Sequence, residues 1–323
     1  DTEEGIFLSD RFIKGECPKC SSEDQYGDGC EKCGATYNSK DLINPVSVIS
    51  NSTPELRDSE HIFFDLPKKR KMLEGFLKKA DIQTSVKNKL NEWMDDLRPW
   101  DISRDAPYFG FEIPNEKNKY FYVWLDAPIG YIASLANWAS NNSKDINEYW
   151  SDKSDYEIVH FIGKDIAYFH CLFWPAILDS SNFKKPDSVY VHGFLTINGE
   201  KMSKSKGTGI TTEDFAKHCD PELLRYYLAS KLNDKVEDVD LNIEDLSQRI
   251  NSDLVGKYLN IASRSSTFIE KNKGLLSSEV DKTLLEKIKN AADEIRHFYD
   301  SRQYSKAVRL IMDMADHTNK YIN

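Results

Sequence analysis

The sequence predicts a mixed α/β region followed by an all-α segment. Two observations lead to this fold class. Between residues 101 and 231, short apolar runs rich in β-forming residues alternate with helical patterns. From residue 243 onward, apolar residues recur at helical spacing with no strand pattern between them. The alternation is typical of crossover units that build a parallel sheet, and the helical end is typical of a bundle.

Three apolar runs supply the predicted strands, and they lie at residues 120–125, 156–162 and Ser188–His192. The first two runs lead into helical patterns that begin near Pro128 and Gly163. Strands that feed helices in this way favour parallel pairing, because a helix is the usual return path between parallel strands.

Helical spacing also appears outside this region. Apolar residues from Met72 to Leu97 recur at helical intervals and stop at Pro99, which predicts helix there. After the third strand, Asn198-Gly199 predicts a tight hairpin turn. Beyond residue 243, three or more amphipathic helices are expected.

Length and charge exclude several classes of protein. The chain has 323 residues, which favours two or three domains at about 150 residues each. Its net charge of −10 argues against a protein that coats nucleic acid indiscriminately, although selective binding through a local basic patch remains open. No apolar run approaches the ~18 residues of a bilayer span, so the sequence predicts a cytoplasmic protein without a membrane segment.

Four of the six cysteines are grouped as C-x2-C, nine residues, C-x2-C, at Cys17, Cys20, Cys30 and Cys33. This spacing predicts a tetrahedral Zn²⁺ site on two tight turns. Two disulfides are the alternative, and the predicted cytoplasmic location disfavours them. With four protein ligands the zinc has no open position, so its role is structural. The remaining Cys171 and Cys219 are predicted to be small buried apolar residues.

A lysine-rich segment follows the predicted hairpin turn. Residues 201–205 read Lys-Met-Ser-Lys-Ser and continue into Lys206 and Gly207. A mobile loop of this composition can fold over a polyphosphate and stabilise the charge on leaving pyrophosphate. An exposed basic loop without function is the alternative for an arbitrary lysine cluster.

The order KMSKS is the signature of class I aminoacyl-tRNA synthetases, and longer motifs make the resemblance more specific. The chain resembles the methionyl-tRNA synthetase family in the segments 7–12, 17–20, 57–61, 100–110, 122–131 and 160–165. The resemblance implies the second half of a Rossmann-like catalytic domain with an inserted zinc-knuckle connective peptide and a C-terminal anticodon-binding helical bundle. It places the connective-peptide region at 1–100, the catalytic half at 101–240 and the bundle at 241–323.

The resemblance also implies site residues. The methionine pocket would comprise Trp124, Ala127, Pro128, Tyr131, Ile166 and His170. The ATP site would comprise Gly163, Asp165 and Leu195, with Lys201 and Lys204 as the catalytic lysines that contact the phosphates. The anticodon contacts would be Asn260 and Arg264.

Without the resemblance, most of these residues have simpler interpretations. The aromatic residues and His170 are typical of a protein core, and Asn260 and Arg264 are typical of a solvated helix face. Ile166 and His170 are four residues apart, which predicts one helical face for both. The implied partners are methionine, ATP as its Mg²⁺ complex, and tRNA(Met).

A second signature of class I synthetases, His-x-Gly-His, does not occur in the sequence. The first half of the catalytic fold is therefore expected upstream of Asp1, and the chain alone is expected not to activate methionine. Two other hypotheses remain open at this stage. The chain could be a non-catalytic zinc protein that binds tRNA, or it could come from a class I ligase for another apolar amino acid.

Overall fold

The structure is a computed structural model that describes residues 1–27, 29–30, 32–33, 35, 37–201, 209–276 and 278–322. The chain forms two compact units that interleave along the sequence. The first comprises Asp1–Ala80, Leu90–Ile158 and Tyr168–Asp187. The second comprises Asp81–Lys89, Val159–Ala167 and Ser188–Asn323.

The strands are short. In chain order they are β1 (Ile13–Glu16), β2 (Gln25–Tyr26), β3 (Ile43–Ser47), β4 (Phe63–Phe64), β5 (Asp81–Ile82), β6 (Trp100–Asp101), β7 (Ser103–Asp105), β8 (Lys119–Phe121), β9 (Val159–Gly163), β10 (Ser188–His192), β11 (Leu195–Ile197), β12 (Glu200–Lys201) and β13 (Val239–Leu241). They form three-stranded sheets in the orders β2-β1-β3, β5-β10-β9 and β12-β11-β13, and the pairs β4-β6 and β7-β8.

The helices become longer toward the C-terminus. They are α1 (Arg70–Lys79), α2 (Thr84–Asp95), α3 (Val123–Asp126), α4 (Ile129–Asn141), α5 (Asn147–Trp150), α6 (Trp174–Ser180), α7 (Thr212–His218), α8 (Pro221–Lys231), α9 (Ile243–Arg249), α10 (Asn260–Lys271), α11 (Lys282–Asp300) and α12 (Tyr304–Ile322). Two segments wind as π-helices, Phe169–Phe173 and Ile250–Leu259. None of the helices in the described residues is both long and apolar enough to cross a membrane.

The predicted parallel sheet is confirmed for two of its three predicted strands, both in the second unit, and is wrong for the first, which pairs antiparallel as β8. Strand β10 lies at the centre of this sheet and runs parallel to β9 over five residue pairs, from Ser188 opposite Val159 to His192 opposite Gly163. It also runs parallel to β5. Side chains alternate between the faces: Val189 is buried, whereas Phe161 is exposed. The predicted strand at 156–162 begins three residues later than expected, at Val159.

The prediction of one continuous helix from Met72 to Leu97 is wrong. The first helix ends at Lys79, strand β5 follows, and α2 begins at Thr84. The break has a tertiary cause, because β5 pairs with the start of β10. Gln83 extends this pairing with its side chain, which donates to the Val191 carbonyl at 2.7 Å and accepts from the Val191 amide at 2.9 Å.

The strand predicted at 120–125 is also too long. Strand β8 ends at Phe121 after pairing antiparallel with β7, and residues Val123–Asp126 form a helical turn. Tyr122 is the transition, and its amide donates to the Ile102 carbonyl at 2.9 Å. A short apolar run is compatible with either a strand or a buried helix, so its composition alone does not separate the two.

Each unit has its own apolar core. In the first unit, Trp150, Trp174 and Leu178 form a buried cluster. In the second unit, a buried cluster comprises Phe215, Tyr227, Leu241 and Leu246. Cys171 is fully buried, as predicted, whereas Cys219 is only half-buried and packs against the second cluster.

The predicted C-terminal bundle is confirmed. Helix α12 packs against α8, α10 and α11, and against the π-helical segment Ile250–Leu259. Its buried side chains include Ala307, Val308, Met312 and Ala315, which follow helical spacing along one face.

Gly193 provides a test of the packing around the parallel sheet. A Cβ atom at this position would lie 2.2 Å from the backbone oxygen of Glu237, whereas nothing lies within 4 Å of a Cβ at Gly75 in α1. We expect Gly193→Ala to lower the free energy of unfolding by roughly 2 kcal/mol or more. Gly75→Ala is the matched control and should raise it by up to about 1 kcal/mol. Thermal unfolding monitored by circular dichroism compares the two variants, and equal melting temperatures would contradict this account.

Candidate functional site

The four grouped cysteines converge at one point of the first unit. The Sγ atoms of Cys17 and Cys33 are 3.8 Å apart, and those of Cys20 and Cys30 are 3.6 Å apart. All four Sγ atoms lie within 4.8 Å of one another. A tetrahedral zinc ion with bonds of about 2.3 Å separates its sulfur ligands by roughly 3.8 Å. The cluster therefore fits zinc.

Tight turns orient these thiols. The amide of Lys19 donates to Cys17 Sγ at 3.4 Å, and the amide of Cys33 donates to Cys30 Sγ at 3.4 Å. Such hydrogen bonds stabilise sulfur in its thiolate form, which is the form that binds metal. All six cysteines lie in the described part of the chain, and none of them forms a disulfide. The ligand set leaves no open coordination position, so a bound zinc would hold the fold together rather than activate water.

Three of the residues predicted for a methionine pocket come together in the first unit. The hydroxyl of Tyr131 and Nε2 of His170 form a hydrogen bond of 2.9 Å. The ring of Trp124 meets the His170 ring edge-on, with centroids 5.7 Å apart. His170 is fully buried, whereas Tyr131 is 42 % exposed. Burial nevertheless raises the pKa of the Tyr131 hydroxyl, which keeps it protonated and able to donate.

The other predicted pocket residues differ in placement. Ala127 and Pro128 connect α3 to α4 and stand between Trp124 and Tyr131 in the chain. Ile166 lies in the second unit, in the 3-10 turn Lys164–Ile166, and stays a prediction. The backbone changes from 3-10 to π winding between Ile166 and His170, and a shared helical face for the two stays a prediction.

Sequence reasoning missed the aromatic residues that stack on Trp124 and on Trp100. Phe169 stacks on Trp124 with centroids 4.3 Å apart, and Phe173 stacks on Trp100 at 3.8 Å. Both phenylalanines lie on the π-helical segment that carries His170. Their four-residue spacing around His170 is the signal in the sequence that could have identified them.

Arg104 was also missed. Its guanidinium lies 3.9 Å from the centre of the Tyr122 ring, and Tyr122 precedes the helical turn that carries Trp124. Its Nη1 also lies 3.4 Å from Oδ2 of Asp101. Nothing in the spacing of Arg104 distinguishes it from an ordinary surface arginine.

The predicted nucleotide residues lie at the carboxyl ends of the parallel strands in the second unit. Gly163 ends β9 opposite His192 of β10. The carboxylate of Asp165 folds back over Gly163, since a Cβ at Gly163 would lie 2.7 Å from Asp165 Oδ1. Leu195 begins β11 and packs against the core of this unit. In open α/β folds, this edge is where ligands bind.

An ion pair braces this edge. Nζ of Lys164 lies 2.7 Å from Oδ1 of Asp238 and 4.6 Å from the ring centre of Phe194. The same Asp238 oxygen accepts from the amide of Phe194 at 2.7 Å. The Lys164 hydrogen bond, followed by that from the Phe194 amide, lowers the pKa of Asp238. The segment after β9 is thereby tied to the segment that precedes Leu195.

The predicted hairpin turn before the lysine segment is confirmed. Asn198 and Gly199 adopt φ values of +51° and +80°, and β11 and β12 pair antiparallel on either side of them. The backbone of Lys201 pairs with Thr196 in this hairpin. Lys204 lies outside the described residues.

The two predicted anticodon contacts lie on one helix of the bundle. Asn260 begins α10 and Arg264 follows one turn later, and both are half-buried. Because α10 is a regular α-helix, their four-residue spacing places them on the same face. The side-chain amide of Asn260 donates to the carbonyl of Gly256 at 3.2 Å.

Comparison with known proteins relates this arrangement to one family. The family model described as tRNA synthetases class I (M) matches residues 1–266. Among solved structures, Mycobacterium tuberculosis methionyl-tRNA synthetase in complex with methionyl-adenylate aligns with a TM-score of 0.72 and 27 % identity over 86 % of this chain. A second structure of that enzyme bound to methionyl-adenylate gives 0.72 and 26 %, and the apo form gives 0.68 and 24 %. The alignments cover 55 % of each of those chains.

The cysteine cluster generates a direct test. We expect the purified chain to retain about one zinc ion through dialysis, and Cys17→Ser to lose it, because three thiolates bind far more weakly than four. Cys219→Ser is the matched control and should retain the metal. Metal content measured by mass spectrometry decides between these outcomes. Zinc retained at full occupancy by Cys17→Ser would show that Cys17 is not a ligand.

Proposed function

Because this chain belongs to the class I tRNA synthetase family, we propose that it is the part of a methionine–tRNA ligase that binds methionine, ATP and tRNA(Met). In this reaction the methionine carboxylate attacks the α-phosphate of ATP, which gives methionyl-adenylate and pyrophosphate. The terminal ribose hydroxyl of tRNA then attacks the acyl carbon of the adenylate, which forms the ester and releases AMP. The observation that carries the proposal is the hydrogen-bonded pair of Tyr131 and His170 against Trp124.

This aromatic group suits a methionine side chain. A thioether sulfur is favoured near aromatic ring edges by roughly 0.3–1.5 kcal/mol per contact. Trp124 and Tyr131 would provide such edges, and Ala127 and Pro128 would provide apolar walls between them. Ile166 is assigned to the methionine site on the family resemblance alone. His170 is held by Tyr131, so its ring has a defined orientation when the amino acid binds.

The nucleotide would bind at the ends of β9 and β10. Gly163 permits close approach of the backbone, and Asp165 offers a carboxylate to ribose hydroxyls. Leu195 would pack beside the adenine. Lys201 and Lys204 would stabilise the charge that develops on pyrophosphate as it leaves. ATP would bind as its Mg²⁺ complex, in which the ion would supply positive charge to the phosphates. The reaction requires positioning and charge stabilisation rather than a covalent nucleophile.

Further assignments follow from the same proposal. A structural zinc would order the connective-peptide region at 1–100, the catalytic half would span 101–240, and the anticodon-binding bundle would span 241–323. Asn260 and Arg264 would contact anticodon bases, since an amide and a guanidinium can hydrogen-bond unstacked bases. Translation places such an enzyme in the cytoplasm.

Pyrophosphate exchange tests the activity. We expect the product of the complete reading frame that contains this chain to exchange pyrophosphate into ATP with methionine. Leucine, isoleucine and valine should be poorer substrates by about 10- to 200-fold. The 323-residue chain alone should give no exchange, since its sequence lacks His-x-Gly-His.

Two matched variants locate the amino acid. His170→Asn should raise the KM for methionine by roughly tenfold or more, because the Tyr131 hydroxyl loses its partner. His297→Asn changes an exposed histidine of α11 and should leave the KM unchanged. Pyrophosphate exchange that depends on a different amino acid would favour a class I ligase for another apolar amino acid. The absence of exchange with any amino acid would favour a non-catalytic tRNA-binding protein.

Binding of tRNA tests the role of the bundle. Arg264→Ala should weaken binding of a tRNA(Met) transcript by about tenfold or more, since a base contact contributes roughly 1–3 kcal/mol. Arg296→Ala is the matched control, because Arg296 pairs with Asp293 on the exposed surface of α11. Filter binding with wild-type and altered-anticodon transcripts measures both effects. If Arg264→Ala still discriminates between the two transcripts as the wild type does, Arg264 does not read the anticodon.

A further inference from the structure

One carboxylate of β13 bonds to both the strand and the turn of the hairpin that leads into the lysine segment. Oδ1 of Asp240 accepts a hydrogen bond from the Thr196 hydroxyl at 2.7 Å and another from the Gly199 amide at 2.7 Å. Asp240 stands opposite Thr196 in the parallel pairing of β11 and β13. Its carboxylate therefore spans the distance from the middle of one strand to the turn at its end.

These bonds satisfy groups that a hairpin leaves open. In a two-residue turn, the amides of the turn residues have no partner in the hairpin's own ladder. Here the Asn198 amide donates to the Leu241 carbonyl at 3.3 Å, and the Gly199 amide donates to Asp240. The side chain of Asn242 adds a third bond, to Asn198 Oδ1 at 3.1 Å. Both amides of the turn thus depend on β13 and the residue that follows it.

The support for Asp240 is itself fixed. Its backbone carbonyl accepts from Tyr227 Oη at 3.2 Å and from Lys231 Nζ at 3.1 Å. Tyr227 is fully buried in the core of the second unit, and its hydroxyl proton is shared between the Asp240 carbonyl and Oδ2 of Asp245, which lies 3.0 Å away. A carboxylate held on such a strand can define the position of a turn more sharply than a side chain on a loop could.

We propose that Asp240 is a positioning residue for the phosphate-binding lysines. It fixes the turn at Asn198 and Gly199, and thereby the position of the Lys201 backbone, which pairs with Thr196 at the end of the hairpin. The inference rests on the proposed function, because the start of the lysine segment needs a fixed position only if the lysines bind a polyphosphate. Asp240 does not contact substrate in this scheme; it acts through the hairpin.

Kinetics separates positioning from general stability. In the product of the complete reading frame, Asp240→Ala should lower kcat/KM for ATP in pyrophosphate exchange by roughly 10- to 100-fold. The KM for methionine should stay within about twofold of the wild-type value, because the residues proposed to bind methionine do not lie in the hairpin. Asp240→Asn keeps an acceptor oxygen and should recover most of the loss. Asp293→Ala removes an exposed carboxylate from α11 and should behave as the wild type.

Hydrogen exchange of the hairpin gives a readout that needs no activity. Peptides that cover residues 195–201 should exchange amide hydrogens faster in Asp240→Ala than in Asp293→Ala. Unchanged exchange would show that Asp240 does not hold the turn. Faster amide hydrogen exchange, together with equal changes in the kinetic constants for ATP and for methionine, would show that Asp240 supports stability only. Either of these two results overturns the inference. If the wild-type enzyme shows no amino-acid-dependent pyrophosphate exchange, the proposed function is refuted. The amide hydrogen exchange of residues 195–201 would still show whether Asp240 holds the turn.

Discussion

The parallel pairing of β9 with β10 is the constraint on which the second unit depends. Five residue pairs hold the two strands in register, so Gly163 and His192 end at the same edge. The segments that follow, toward Asp165 and toward Leu195, therefore leave the sheet side by side. A slip of one residue would turn Phe161 to the buried face and Ile162 to the exposed one, which makes the register strongly specified. In this register Lys164, directly after β9, forms its ion pair with Asp238.

Much of the fold could be predicted from the sequence where local chemistry and tertiary context agree. The β-branched run at Ser188–His192 is a central strand, and Asn198-Gly199 forms the turn that its left-handed conformation favours. Strand β5 could not be predicted, because two residues within a helical pattern become a strand only by pairing with β10. The end of β8 at Phe121 was missed for a related reason. An apolar run indicates that a segment is buried, but it does not indicate whether that segment is a strand or a helix.

The candidate site shows the same division. The spacing of the four cysteines predicted that they group together, whereas Trp124, Tyr131 and His170 were proposed only through the family resemblance. Motifs did not identify what supports them, namely Phe169 behind Trp124 and Asp240 beneath the hairpin. These contacts join residues about 40 positions apart in the chain, where no periodicity connects them. Asp240 also lies in an acidic stretch that has the composition of an ordinary surface segment.

The π-helical segment Ile250–Leu259 affects how the bundle can vary between relatives. It is wound with wider turns than the α10 helix that it leads into. Adding or deleting one residue within it would rotate Asn260 and Arg264 together by about 100° around the helix axis. Many of its side chains are exposed, but its number of residues is tied to the direction of α10. Alignment gaps among relatives are therefore expected in the connection between α10 and α11, and substitutions without gaps are expected between 250 and 259.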